Sequence, residues 1–277
     1  MTTHLLIGGT GKTGRRVAAR LRDRGLPVRS FSRPEFDWAD RSTWSAVEEP
    51  AAAAYLAYAP DITFPAAPEA LREVAERIAR SGVRRIVLVS GRGEPEAQRA
   101  ERLVAEAAER HGAEWAVLRC AMFMQNFDES LFQPPLAAGH LAFVAGEVRE
   151  PFVDAEDIAD VAVGLMAGEV APNRAYELTG PRLMTFAEAT AEIAAAAGRQ
   201  IGYQQVSGEV LAADLVRAGL PAEEAHELVQ LFDHILDGHN ASLATGVEEA
   251  LGRAPRDFTE YAVQAAAAGA WSEAAAS

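Results

Sequence analysis

"LLIGGTGKTGRRVAARL", residues 5 to 21, joins an apolar run to a helical pattern through a glycine-rich segment that admits two readings. Gly11-Lys12-Thr13 ends like a nucleoside-triphosphate loop, whereas Gly9, Gly11 and Gly14 have the Gly-x-Gly-x-x-Gly spacing of a dinucleotide-binding turn. Spacing decides between them. The triphosphate loop needs another glycine about five positions before the one that precedes lysine, so that successive amides wrap the phosphates. That position is Leu6, inside the apolar run. The dinucleotide reading meets no such obstacle. Gly9 makes the tight turn, Gly11 lets a pyrophosphate approach the backbone, and Gly14 lets the helix pack on the sheet. The first helical amides then face the phosphate oxygens, with the helix dipole favouring negative charge. Gly8, Thr10, Lys12 and Thr13 complete the expected cofactor loop. Lys12 and Thr13 occupy variable positions from which side chains can point outward. Lys12 either meets a phosphate as a point charge or stays solvated.

The second apolar run selects the cofactor. A protein that takes NAD ends this strand with Asp or Glu to hold the ribose 2′-hydroxyl. Here the run ends in Ser32-Arg33, about 20 residues past the glycines. A carboxylate repels a 2′-phosphate, whereas a guanidinium forks onto it and a serine hydroxyl donates to it. The pattern predicts NADP(H). Asp37 falls too late for the ribose and is placed near the adenine.

Short apolar runs alternate with amphipathic patterns through the first half, as βαβ units do. Strands are expected at residues 4–7, 28–32, 52–58, 85–90 and 115–119, with a weak one at 35–38. Helices are expected at 13–24, 41–47 behind an Asp40 cap, 68–81 and 95–111. After residue 126 the rhythm changes. Residues 133–146 are loop-rich, "AYELTG" is a late strand near 175–179, and Thr185 with Glu188 spells a capping box. Residues 208–265 divide into about three helices at Gly-Leu-Pro and Gly-His-Asn. The expected fold is α/β: a Rossmann-like, doubly wound parallel sheet with a smaller, mainly helical C-terminal segment that caps the substrate. The expected division is 1–127 for the NADP(H)-binding core and 128–277 for the capping segment, interwoven through the late strand.

Composition narrows the function. A net charge of -14 disfavours nucleic acid and anionic lipid, which need basic surface to displace counterions. No apolar stretch approaches the roughly 18 residues of a membrane span, and residues 1–4 carry no signal-peptide pattern, so a cytoplasmic protein is expected. Cys120 is the single cysteine, which excludes an intrachain disulfide. The expected partner is a small-molecule substrate, with a homodimer left open. His234 and His239 are five apart, not the i, i+4 of a helical metal pair, and no metal is expected. Lys12 is the only lysine in the chain, so no chemistry requires a second one.

"GGTGKTG", "SRP", "VLVSGRGE", "PFVDAEDIADVAV", "YELTGPRLMTFAEATAEIAAAAGR" and "LGRAPRDFTEYA", in this order along nearly the whole chain, resemble the NmrA-like atypical short-chain dehydrogenase/reductases, and most of all their ergot-alkaloid-type reductase branch. The resemblance implies a Rossmann domain, NADPH, and a substrate cleft roofed by the C-terminal segment. By position it implies that Ser90 stands beside the nicotinamide, and that Met122, Phe123, Met124 and Phe127 line the nicotinamide and substrate pocket. It also places Gln98 or Arg99 where many relatives keep a lysine. The chain departs from ordinary short-chain dehydrogenases, whose Tyr-x-x-x-Lys pair passes a proton to an alkoxide. No tyrosine here precedes lysine at that spacing.

In a doubly wound sheet the chemistry sits at the carboxyl ends of the strands. Those ends supply Tyr58-Ala59, Ser90-Gly91 and the segment from Arg119 to Phe127. Ser90 is the candidate catalytic residue, either hydrogen-bonding substrate or carboxamide or satisfying a turn. Tyr58 either covers the nicotinamide or packs. Asn126 and Gln125 are suited to orient a carbonyl or amine. Asp154 and Asp157 read as the cap and first-turn acids of a helix. The expected activity is hydride transfer from NADPH to an iminium, an enone or a quinone of a small, largely apolar, secondary-metabolite-like molecule. A non-catalytic NADP(H)-binding redox sensor is the alternative.

Overall fold

The apolar run that opens the chain becomes β1, His4–Ile7, buried along its whole length. A computed structural model describes residues 3–272. β1 pairs in parallel with β2 (Val28–Phe31) on one side and β3 (Ala53–Leu56) on the other. Then follow β4 (Arg85–Gly91), β5 (Glu114–Cys120) and β7 (Arg174–Leu178), giving a six-stranded sheet of order β2-β1-β3-β4-β5-β7. The predicted strand at 35–38 does not form. Only an isolated bridge joins Asp37 to Asp40, and a 3-10 helix, Arg41–Val47, follows with Asp40 accepting from the Ser42 amide.

Side chains alternate across the sheet, so each strand feeds two cores. Leu5, Ile7, Ala54, Leu56, Ile86 and Leu88 join one cluster with the inner faces of α2 (Ala67–Arg80) and α3 (Pro95–Arg110). Leu6, Tyr55 and Val87 point to the opposite face, covered by α1 (Lys12–Asp23) and α5 (Ala155–Ala167). Burial on both faces explains why these strands read as continuous apolar runs. α1 and α5 are tied by Arg16 and Arg20 to Glu156, and by Arg20 to Asp160.

The chain forms two units. The first holds residues 1–121, 155–179 and 244–255; the second holds 122–154, 180–243 and 256–277. The predicted boundary at 127 therefore falls inside the second unit, and two later stretches return to the first. α9 (Gly246–Leu251) is one of these returns. The second unit contains α4 (Gln133–Ala137), β6 (His140–Phe143), α6 (Phe186–Ala197), β8 (Gly202–Gln205), α7 (Gly208–Arg217), α8 (Ala222–Ile235) and α10 (Phe258–Ala267). β6, in a stretch read as loop-rich, and β8, to which no element was assigned, form a parallel pair that was not expected. Its core is aromatic. Phe127 packs against Phe132, Phe152, Phe186 and Phe258 at ring separations of 5.3 to 5.8 Å, and buried Trp271 donates its indole N–H to the Phe127 carbonyl at 2.8 Å. Among the described residues no helix is long and apolar enough to cross a membrane.

Candidate active site

Strand order reverses between β1 and β3, and the crevice outside their carboxyl ends is where an open parallel sheet accepts ligands. The glycine loop leaves β1 there. Gly8 adopts φ +86°, and a Cβ on it would stand 2.9 Å from the Ala57 carbonyl oxygen at the end of β3. A Cβ on Gly14 would come within 2.2 Å of the Gly8 carbonyl oxygen, so only glycine lets α1 begin this close to the strand. Gly11 is exposed, and a Cβ there would meet nothing nearer than 3.4 Å. Gly11 also caps α1 without any side-chain hydrogen bond, and the first turn carries no acid. The helix end is thus shaped for an external anion. Thr10 is exposed and Lys12 half-buried beside it.

Thr13 corrects the sequence reading. Its side chain does not point outward but is buried, accepting the Tyr55 hydroxyl hydrogen at 2.6 Å. The outward-variable rule fails because Tyr55 lies on the α1 face of the sheet and its phenol needs a partner. Only the main chain of Thr13 remains for a phosphate.

At the end of β2, Ser32 is half-buried and Arg33 exposed. No described residue pairs with the Arg33 guanidinium. The nearby acid, Glu35, is instead held by Arg29 at 2.6 Å, and Arg29 also binds Glu49 at 2.8 Å. A free cation without a competing carboxylate suits a 2′-phosphate. Asp37 serves its own turn, Oδ1 accepting the Ala39 amide at 3.0 Å. These residues fit a phosphorylated dinucleotide: a helix start with no capping side chain, an exposed glycine and an unengaged arginine.

Tyr58 follows β3, half-buried, its ring tilted against Trp38 with centroids 4.9 Å apart; Ala59 beside it is exposed. Trp38 donates to the Ala57 carbonyl at 3.1 Å, fixing this aromatic pair beside the strand end.

Ser90 is the penultimate residue of β4, which closes on half-buried Gly91. Its neighbours were not foreseen. Two residues beyond Leu88, Ser90 faces α3, where its hydroxyl donates to Glu101 Oε1 at 2.6 Å. Arg119, register partner of Ser90 on β5, donates to Glu101 Oε2 through Nε at 2.8 Å and Nη2 at 2.7 Å. Arg119 also lies 3.6 Å from Glu177 on β7, which holds Arg92 at 3.1 Å. Ser90 is 3% exposed and Glu101 5%. A signal existed in the sequence: Glu101 interrupts the buried stripe Ala97, Ala100, Val104, Ala108 of α3, and Arg119 interrupts the apolar run of β5. Of Gln98 and Arg99, read as the lysine-equivalent positions, Gln98 is half-buried and Arg99 is exposed and paired with Glu69 at 2.8 Å.

Within the second unit, Met124 and Phe127 turn into the aromatic core, at 1% and 0% exposure, while Met122, Phe123 and Asn126 stay half-buried. Gln125 is buried and donates to Asp154 at 2.8 Å. No group of three or more His, Cys, Asp or Glu converges on a metal position among the described residues.

Fold and turn together define a Rossmann-type protein with a dinucleotide site at the switch of its sheet. The chain matches no family model. It is 33% identical over 274 residues to the uncharacterized oxidoreductase YesF of Bacillus subtilis, covering 95% of each chain. It is 29% identical over 279 residues to agroclavine dehydrogenase of Claviceps fusiformis, covering 94% of this chain and 96% of that one. Among solved structures, the Citrobacter triphenylmethane reductase complexed with NADP(H) superposes with a TM-score of 0.75 at 18% identity, over 95% of this chain and 99% of that one, which speaks to the fold. The chain belongs to the NmrA-like atypical short-chain dehydrogenase/reductases and is an oxidoreductase.

Proposed function

We propose that this protein is an NADPH-dependent reductase of small, largely apolar molecules whose acceptor is already activated: an iminium, an enone or a quinone. When bound, NADPH supplies the hydride. The glycine loop and the start of α1 hold its diphosphate, and Arg33 with Ser32 holds its 2′-phosphate. Tyr58, Ala59 and Gly91 line the cofactor's path, and Ser90 is assigned a place beside the reacting atoms. In the second unit, Met122, Phe123, Met124 and Asn126 were the sequence candidates for substrate. Met124 is spent on the core, which leaves Met122, Phe123 and Asn126 for that role.

The observation that carries the substrate class is the state of the tyrosines. All five are pushed above the ordinary phenol value, burial being the largest cause in each. With no lysine beyond Lys12, none has an ammonium partner to bring it down. A ketone, which needs a proton donor as hydride arrives, is therefore a poor substrate. An iminium needs none, and a conjugated acceptor takes its proton from water afterwards. The protein's contribution is orientation.

The test is NADPH oxidation followed by absorbance with cyclic imines, enones and quinones. Saturable NADPH binding without turnover of any of them would favour the redox-sensor alternative. Arg33→Ala should weaken NADPH by about tenfold or more while leaving NADH nearly unchanged, since a charge-assisted hydrogen bond is lost only with the phosphorylated cofactor. Equal weakening of both cofactors would remove Arg33 from the 2′-phosphate.

A further inference from the structure

We infer that Glu101 is a positioning residue that makes Ser90 a hydrogen-bond acceptor, so that the site selects N–H-bearing cations, protonated imines, over carbonyl acceptors. This rests on the reductase reading and narrows it.

The argument is one of hydrogen-bond polarity. A hydroxyl has one hydrogen to give. Ser90 gives it to Glu101 Oε1 at 2.6 Å. Glu101 is the acceptor on both sides, taking the Ser90 hydrogen on Oε1 and two N–H bonds from the Arg119 cation on Oε2, the pairing of a guanidinium with a carboxylate. Both groups are buried, so water does not re-orient the bond. The serine is left with lone pairs only. A quinone or enone oxygen, itself an acceptor, gains nothing from them and meets lone-pair repulsion. A protonated imine offers N–H⁺, the matching partner, and finds a carboxylate directly behind the serine oxygen. The chemistry balances without a proton donor. The carbon of the C=N–H⁺ group takes the hydride, its π pair returns to nitrogen, and a neutral amine leaves with the cofactor oxidised.

Glu101→Gln reverses the polarity at constant shape. Arg119 needs an acceptor, so the amide oxygen stays at the Oε2 position and the amide NH₂ faces Ser90. The Ser90 hydrogen then turns away from α3 and becomes a donor. Kinetics would be compared at saturating NADPH with 3,4-dihydroisoquinoline below its pKa and with menadione. A second readout is calorimetric binding of 1,2,3,4-tetrahydroisoquinolinium to the NADP⁺ complex, which needs no turnover. Expected are a fall in kcat/KM for the imine of about tenfold or more in Glu101→Gln, an unchanged or raised value for menadione, and weaker ammonium binding. Ser90→Ala, which removes the oxygen without touching the Glu101–Arg119 pair, should lose the same preference. Equal falls for both substrates in both variants would make the tie purely structural and overturn the inference. So would a loss confined to NADPH affinity, which would give Ser90 to the carboxamide. If the wild type binds NADPH but turns over neither probe, the reductase reading fails. The ammonium titration then decides the polarity separately: undiminished affinity in Glu101→Gln overturns it and weakened affinity supports it.

Discussion

Gly14 bears the tightest demand placed on any single residue of the cofactor loop. The Cβ of an alanine there would stand 2.2 Å from the Gly8 carbonyl oxygen, a backbone atom that cannot rotate away. Gly14→Ala should push α1 off the strand, at a cost of roughly 1–3 kcal/mol in stability. It should also abolish saturable NADPH binding as followed by cofactor fluorescence. Retained binding with a native melting temperature would show that the turn tolerates a wider opening. The glycine pattern was legible because each glycine answers a local steric need. The bond of Thr13 was not, because its partner Tyr55 lies 42 residues away, and Glu101 showed only as a break in the apolar stripe of α3, its partners Ser90 and Arg119 lying 11 and 18 residues away. A hydrogen bond that closes across a sheet leaves no local spacing to read.

Elements with strong local signals formed where expected. The capping box of α6 is present in full: Thr185 Oγ1 accepts the Glu188 amide at 3.1 Å, and the Glu188 carboxylate accepts the Thr185 amide at 2.9 Å. Thr185→Ala should cost about 1 kcal/mol, read as a lowered urea midpoint with unchanged slope. No change would mean that packing of Phe186 and Ile193 alone holds the helix. The strand predicted at residues 35–38 failed for a physical reason. Phe36 and Trp38 alternate as strand residues do, but Asp37 and Asp40 draw the local amides into turns, and Trp44 donates to the Asp37 carbonyl at 2.8 Å. β6 and β8 escaped notice because each spans four residues and β8 is largely exposed, so neither carries a buried apolar run.

For the molecule as a whole, His4 links folding to pH. It is buried at the start of β1 with Nδ1 3.3 Å from the Pro27 carbonyl oxygen, and burial lowers its pKa below the ordinary 6.5. Above pH 6.5 both folded and unfolded chains hold it neutral, and it contributes no pH dependence. As pH falls below that value the unfolded chain takes up the proton first. Stability then drops, by at most about 1.4 kcal/mol per pH unit, until the folded pKa is passed. His4→Gln should flatten this part of the profile, measured as urea midpoints across the acid side of neutrality; parallel profiles would exclude His4 as the linked group. The sheet and its order-reversing loop followed from sequence because they rest on periodicity and fixed motif spacing. The partition of the chain did not, because membership of a unit depends on contacts between remote segments.

That partition governs how the protein comes into being. The first unit includes α5 and β7 from residues 155–179 and α9 from 244–255, and two long stretches of the other unit are threaded between its segments. As the polypeptide leaves the ribosome, the first unit stays short of its last segment until residue 255 has been synthesised. Neither unit is one continuous stretch of chain, so no single excision from the gene would carry either of them away whole.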